Sequence, residues 1–492
     1  MNSYYITTAI PYVNAAPHLG HALEFVQADV LARHRRLRGQ PVRFLSGTDD
    51  HALKNVLAAR TAGEPVEQYV DAAADRFQSL LGVLDLTCDD YIRTSSDPRH
   101  RTGVEYLWQR CAEAGDFYQQ SYTGLYCVGC EQFYEQDALI GGRCPEHGTE
   151  PEHVTETNWF FRLSKYRDRI EDAIGSGTLT INPPQKRNEV LALLKSGLND
   201  FSVSRPAVRA GGWGIPVPND PSQVIYVWWD ALTNYLTALG VDRPGRDYQY
   251  WWAGDGERVH VIGKGITRFH AVYWIGLLLS AGLPLPTTIH VHDYVNVGGV
   301  KLSKSTGNVV DPVELVDAYG TDALRWWLTR EVPLLGDTEF SEARLVQAYN
   351  TDLANGLGNL AGRTATLLHK HYDGRLLLDD APVTGPTWDS RALDAATAAL
   401  PSKIDAALST ADFRAATAQL VATVNGANQL LNAAEPWKLL KDPAADPRLP
   451  HRLLTQVIQA CRTVTNELAP FCPAGADRLA HGPTASPFPR IL

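Results

Sequence analysis

Methionine occurs only at position 1 of the 492 residues, and lysine is scarce, 11 residues against 34 arginines. No run of about eighteen uncharged apolar residues occurs, so a membrane-spanning helix is excluded and no membrane partner is expected. Basic excess is missing too. The net charge of −10 argues against non-specific nucleic-acid binding. It leaves room for an RNA held by a local basic patch, by shape and by stacking. The opening residues lack both the basic-then-apolar pattern of a secretory leader and the Arg/Ser-rich pattern of a transit segment, so a cytoplasmic protein is expected. Seven cysteines, an odd number in a long chain, do not make a disulfide framework. There is no internal repeat and no low-complexity linker.

What is present is a globular composition, 44% hydrophobic and 20% charged, long enough for two or three domains. Residues 3–9 read as a strand, 18–38 as a helix ended by Gly39, and 42–46 as a second strand. That is a βαβ unit, which implies parallel pairing in a doubly wound sheet. The pattern resumes with strands expected at 224–228, 258–263 and 287–292 and a buried helix at 267–282. Between these halves lies a Cys-, Gly- and Tyr-rich stretch that reads as an insertion. From about residue 341 to 470, long Ala/Leu-rich segments read as a helical bundle. The last dozen residues, HGPTASPFPRIL, are expected to run extended over the surface.

Three clusters carry chemistry. His18-Leu19-Gly20-His21 opens the first helix, where backbone N–H groups and the helix dipole favour a phosphate and Gly20 lets a ligand approach closely. Two surface histidines opening a helix are an equally simple reading. Lys301-Leu302-Ser303-Lys304-Ser305 follows the last expected strand, near the carboxyl edges where open α/β sheets bind ligands. A solvated charged loop also explains it. Cys127-x-x-Cys130 and, thirteen residues on, Cys144-x-x-His147 offer three thiolates and an imidazole in two tight turns. That suits one tetrahedral zinc, structural because a closed four-ligand site leaves no open position. Unliganded cysteines in a loop are the alternative. Cys88, Cys111, Cys461 and Cys472 read as buried thiols.

HLGH after the first strand and KLSKS about 280 residues later resemble the two signatures of class I aminoacyl-tRNA synthetases. Longer runs, among them TTAIPYVNAAPHLGH, SGTDDH, GLYCVGCEQFY, CPEHG, NWFFRLSKY, VIYVWWDALTNYLTALG, VIGKGITRFHAVYW, LSKSTGNVVDP and YNTDLANGLGNLAGR, are similar to the methionyl branch of that family over essentially the whole chain. The resemblance implies an α/β fold: a doubly wound parallel, Rossmann-type sheet with a zinc-knuckle connective insertion and a C-terminal α-helical bundle. The expected division is 1–114 and 201–340 for the two halves of the catalytic domain and 115–200 for the insertion. The helical anticodon-binding domain would take 341–475 and a tail 476–492.

The resemblance also implies a ligase that uses ATP and magnesium to activate methionine and passes it to initiator and elongator methionine tRNA. The amino acid's carboxylate is already ionised at neutral pH, so its attack on the α-phosphorus needs positioning and charge stabilisation rather than a general base. His18 and His21 would donate to the phosphates from one side. Lys301 and Lys304 would close over the leaving pyrophosphate, with magnesium bridging its oxygens. Gly20, Gly263, Lys264, His292, Val295, Lys301, Ser303 and Lys304 match positions around ATP. Asp49 matches the holder of the α-ammonium. Ile10, Tyr12, Trp228, Ala231, Leu232, Tyr235, Ile266, His270 and Trp274 match the side-chain pocket, where aromatic walls suit a thioether. Trp228, Tyr235 and Trp274 as plain core aromatics are the alternative. Asn359, Arg363 and Trp437 match residues that read the anticodon, by stacking and edge contacts to unpaired bases. A bundle tryptophan behind Pro436 is the alternative there.

Departures from the family cluster near ATP. Gly265 stands where an acid usually contacts the ribose, Asp293 where a glycine is usual, and Asp50 and Ala52 where Glu and Gly are usual. Asp293 is expected to supply the acid missing at 265. These departures leave two rivals open, a relative that passes its aminoacyl-adenylate to an amine or hydroxylamine in secondary metabolism, and a catalytically silent tRNA-binding relative. The resemblance further suggests a monomer, for lack of the appended domain through which many members dimerise.

Overall fold

A computed structural model describes residues 2–129, 132–146, 148–298, 300–301, 310–377, 388–481 and 487–492. They form two compact units, residues 1–82 with 86–294, and residues 83–85 with 295–492. Among the described residues no helix is long and apolar enough to cross a membrane.

The first unit is built on six strands: β1 (Tyr4–Thr8), β2 (Val42–Thr48), β3 (Asp90–Arg93), β4 (Thr180–Asn182), β5 (Glu257–Gly263) and β6 (Thr288–His292). They lie in the order β3-β2-β1-β5-β6-β4, and every neighbouring pair is parallel. β1 is buried along its whole length, as expected for a central strand covered on both faces. The order reverses between β1 and β5, so their carboxyl ends flank the crevice where such sheets bind ligands. Helix α1 (Leu19–Leu37) starts at that crevice.

The sequence expectations differ from this in two places. The apolar run at 224–228 is strand only through Ile225, in a small antiparallel sheet, and then turns into helix α2 (Val227–Thr237). A short apolar run fits either period, so pattern alone could not split it. β4 comes from inside the segment read as insertion, and it forms the sheet's edge against β6. The rest of that segment is mainly an antiparallel sheet of Gln132–Tyr134, Phe117–Cys127, Glu152–Phe161 and Phe201–Ser202. Its inner aromatics fix it to the unit. Phe117 stacks on Trp108 at 4.2 Å, and Phe117 and Phe161 meet Trp229 of α2 at 5.3 and 5.5 Å.

The second unit begins with Val295–Val297, which pairs with Val300–Lys301 and Thr338–Glu339. Residues 295–340, expected with the catalytic half, thus cluster with the helical unit. The bundle is made mainly of Asn359–Tyr372, Arg391–Ser409, Phe413–Ala434 and Arg448–Leu468. Arg325 is fully buried, with its guanidinium donating to the carbonyls of Phe471 (3.0 Å), Pro470 (2.7 Å) and Leu84 (2.9 Å). Of the last dozen residues, the described stretch 487–492 carries no helix or strand, as expected, but it is anchored by Phe488, which is fully buried.

Candidate active site

The first element of the site is the start of α1. His18 is the N-cap, and its Nδ1 accepts from the Gly20 N–H at 3.1 Å. His21 Nδ1 accepts from the His18 N–H at 3.1 Å, closing a reciprocal capping box. The rings stack at 3.8 Å. A β-carbon at residue 20 would come within 2.9 Å of the His18 ring, so this fold-back requires glycine. Because each Nδ1 accepts from a backbone N–H, the proton of a neutral ring sits on Nε2 in both. Burial, with the neighbouring His18 adding to it, holds the His21 pKa well below its usual value. The turn therefore carries imidazole donors at a helix N-terminus, the polarity a polyphosphate needs.

Across the crevice, Gly263 ends β5 and His292 ends β6, and the two residues pair. Glu24 of α1 links His292 to the residue that follows β1. Its Oε1 accepts from the Ala9 N–H at 2.7 Å, and its Oε2 lies 3.2 Å from His292 Nε2. Asp293, the expected substitute acid, is held by two lysines. Its buried carboxylate lies 3.3 Å from Lys186 Nζ and 3.8 Å from Lys264 Nζ. The room at Gly265 is taken instead by Tyr294, whose hydroxyl would be 2.1 Å from a β-carbon there, and Lys264 Nζ sits 4.6 Å above the Tyr294 ring. Asp50 also faces elsewhere. Its Oδ2 accepts from Ser95 Oγ at 2.6 Å and lies 3.5 Å from Arg93 Nε, so it ties β2 to β3.

Next to this edge lies an aromatic wall. The Tyr12 backbone bridges to Asp49, which is buried and accepts from the His51 N–H at 3.3 Å. The Tyr12 and Trp228 rings meet edge-on at 6.2 Å, and Trp228 stacks on Phe269 at 3.8 Å. Behind them the side chains are saturated. Tyr235 Oη donates to His270 Nε2 (2.7 Å), whose Nδ1 meets the Ile266 carbonyl (3.1 Å). Trp274 Nε1 donates to His260 Nε2 (3.2 Å), whose Nδ1 meets Thr7 Oγ1 (2.7 Å). A carbonyl can only accept and an indole can only donate, so His270 is protonated on Nδ1 and His260 likewise. Burial lowers the pKa of His270 to about 4 and holds that of His260 well below its usual value. Ala231, Leu232, Tyr235 and Trp274 are buried, and Ile10, Tyr12, Trp228 and Ile266 are half-buried at the front. Phe269–Tyr273, which leads into the helix Trp274–Ala281, is π-helical, a distortion frequent at functional sites.

Sequence reasoning missed a buried carboxylate beneath this wall. Asp230 of α2 is shared by His51 Nδ1 (2.6 Å) and His100 Nε2 (2.5 Å). Burial works to raise its pKa, but the two imidazoles outweigh burial and hold it well below the carboxylate range. The pKa of His51, which burial alone would lower, is raised by Asp230.

A family model described as tRNA synthetases class I (M) matches residues 4–153 and 146–365. The chain belongs to that family. It is 41% identical to a methionine–tRNA ligase of Brucella melitensis over 97% of this chain and 90% of that protein. The Mycobacterium tuberculosis ligase is 39% identical over 97% and 91%. The fold matches a methionyl-tRNA synthetase of M. tuberculosis in complex with methionyl-adenylate at TM-score 0.90 and 38% identity, covering 99% of this chain and 96% of that one.

Other family positions fall in three places. Ser303 and Lys304 of the class I lysine loop lie outside the described residues, and of Lys301 only the backbone is described, paired with Asn296. Val295 is buried in the small sheet of the second unit. In the insertion Cys130 and His147 lie outside the described residues, so among the described ones no three-ligand metal cluster occurs. The other two knuckle cysteines are buried and converge on Thr149: Cys144 N donates to its carbonyl at 2.9 Å, and Cys127 Sγ is 3.7 Å from its hydroxyl. Burial pushes the thiols of Cys88, Cys111 and Cys461 up to about 12 and raises that of Cys472 well above its usual value, which makes them inert. In the second unit Asn359 is exposed, and the Arg363 guanidinium lies 5.6 Å over the half-buried Trp437 ring.

Proposed function

We propose that the chain is a methionine–tRNA ligase that forms methionyl-adenylate from ATP and transfers the methionyl group to the 3′-terminal ribose of tRNA. The observation that carries this is the histidine pair whose backbone-bound Nδ1 atoms put a donor Nε2–H on each ring beside the switch point of the sheet. Asp49 binds the α-ammonium and so holds the carboxylate against the α-phosphorus. The carboxylate attacks, the bond to the leaving pyrophosphate breaks, and His18 and His21 donate to the oxygens on which charge builds. Lys301 and Lys304 carry the pyrophosphate side. Magnesium bound to the triphosphate would neutralise part of its charge. Gly20, Gly263, Lys264, His292, Val295 and Ser303 complete the ATP contacts.

Trp228 and Tyr12 form the front of the side-chain pocket, and Ile10, Ala231, Leu232, Tyr235, Ile266, His270 and Trp274 support it. Cys127, Cys130, Cys144 and His147 would hold one zinc, which suits a thiol-rich double turn and would brace the insertion. Asn359, Arg363 and Trp437 read the anticodon. ATP–pyrophosphate exchange across all twenty amino acids, with and without tRNA, tests the assignment. Exchange with methionine and charging of methionine tRNA are expected. Robust exchange with another amino acid and no tRNA charging would favour a small-molecule acceptor instead.

A further inference from the structure

Residues 487–492 turn back onto the helical unit. Phe488 is fully buried over two glycines, where a β-carbon at Gly475 would lie 2.1 Å from its ring and one at Gly358 would lie 3.6 Å from its own β-carbon. Its ring meets that of Tyr349 at 6.1 Å. Asn350 clamps the chain two-fold, donating to the Ile491 carbonyl (2.8 Å) and accepting from the Ile491 N–H (3.0 Å). Arg478 Nε donates to the Pro487 carbonyl at 2.8 Å. Between these anchors Arg490 is exposed. With Pro487 and Phe488 it lines a groove of about 890 Å³ whose facing wall is the helix carrying Asn359, Arg363, Thr366 and Lys370. Every charged side chain among the described lining residues is basic, on a chain of net charge −10.

We infer that the tail is the second wall of an RNA groove, and that Arg490 contacts a backbone phosphate of the single-stranded loop whose bases meet Asn359 and Arg363. This rests on the reading of that helix face as the anticodon site. A local reversal of sign is the electrostatic footprint of a polyanion. The buried ring and the two-fold clamp fix the backbone on either side of Arg490, so the chain itself need not be ordered on binding. The acceptor on the groove is RNA rather than a peptide because a helix face with an amide, a guanidinium and a nearby half-buried indole offers both edge contacts and stacking to bases.

The test is the affinity of the full chain for a methionine tRNA transcript, measured at several salt concentrations for Arg490→Gln, Arg490→Lys, Phe488→Ala and Arg363→Gln. Arg490→Gln should weaken binding several-fold and make the slope of log affinity against log salt shallower by about 0.7, the share of one phosphate on a single strand. Arg490→Lys should keep the slope, and Phe488→Ala, which frees the tail, should reproduce the loss. Thermal unfolding of Arg490→Gln should match the parent, since the side chain is exposed. Unchanged affinity and slope in Arg490→Gln, with Arg363→Gln weakened, would overturn the role of the tail and leave the groove standing. If Arg363→Gln is also unaffected, the groove reading itself fails and the inference with it.

Discussion

Two pairs of histidines in the first unit have opposite fates. His18 and His21 stack at the start of α1, and each gives its Nδ1 to a backbone N–H. His260 and His270 sit behind the aromatic wall, where a carbonyl and side chains use both nitrogens of each ring. Burial drives the pKa of His21, His260 and His270 down alike. A lowered pKa thus occurs in both regions and cannot distinguish them. The hydrogen-bond partners do. In the first pair they fix the proton on Nε2 at a helix N-terminus, and in the second they lock a wall in place. A substitution in the first should therefore be felt in rate, and one in the second in stability.

The largest effect that could break this contrast is in the first pair. His21→Ala should lower the rate of methionine-dependent pyrophosphate exchange on the order of 10²–10³-fold, the loss typical of one donor to developing charge. Its unfolding free energy should fall by only about 1 kcal/mol, for the lost half of the capping box. A variant that unfolds far more easily but exchanges normally would place His21 with the second pair.

The second pair predicts acid lability. The folded state keeps His270 neutral down to about pH 4, whereas an unfolded imidazole binds its proton near 6.5. The stability this ring contributes is present above about pH 6.5 and is lost as pH falls towards 4, about 3 kcal/mol in all. Urea unfolding at pH 7 and pH 5 should show the drop, and His270→Asn should make it shallower by this ring's share, with His21 and His260 still contributing. Tyr235→Phe, which removes the phenol donor to His270, should cost about 1 kcal/mol at pH 7. An unchanged pH slope in His270→Asn would mean the titrating group lies elsewhere.

Legibility in the sequence followed the range of the interactions. The β1–α1–β2 unit was readable because its periods and the Gly39 stop are local. The capping histidines were readable because their bonds span two and three residues. Glu24 was within reach of the same reasoning, one turn past His21, but its partners Ala9 and His292 lie 15 and 268 positions away. Asp230 joins His51 and His100 across gaps of 179 and 130 positions, which no local pattern records. β4 is three residues long, too short to show a period. The extended tail was readable from its prolines, but its anchor was missed because a single Phe488 makes no pattern.

The smallest expected effect lies between the two regions, at Gly265. A β-carbon there would lie 2.1 Å from the Tyr294 hydroxyl, closer than atoms can approach, so the glycine and the tyrosine are one solution to one space. If that hydroxyl serves the nucleotide as a donor, Tyr294→Phe should raise the Michaelis constant for ATP about fivefold, the worth of one net hydrogen bond. Gly265→Ala should do the same by pushing the ring aside. The double variant should then be no worse than Tyr294→Phe alone, because the second change acts only through a hydroxyl already gone. Additive losses would show that Gly265 matters for the ligand directly. No change in any of the three would make Tyr294 a space-filler, closer in kind to the locked wall than to the donor pair.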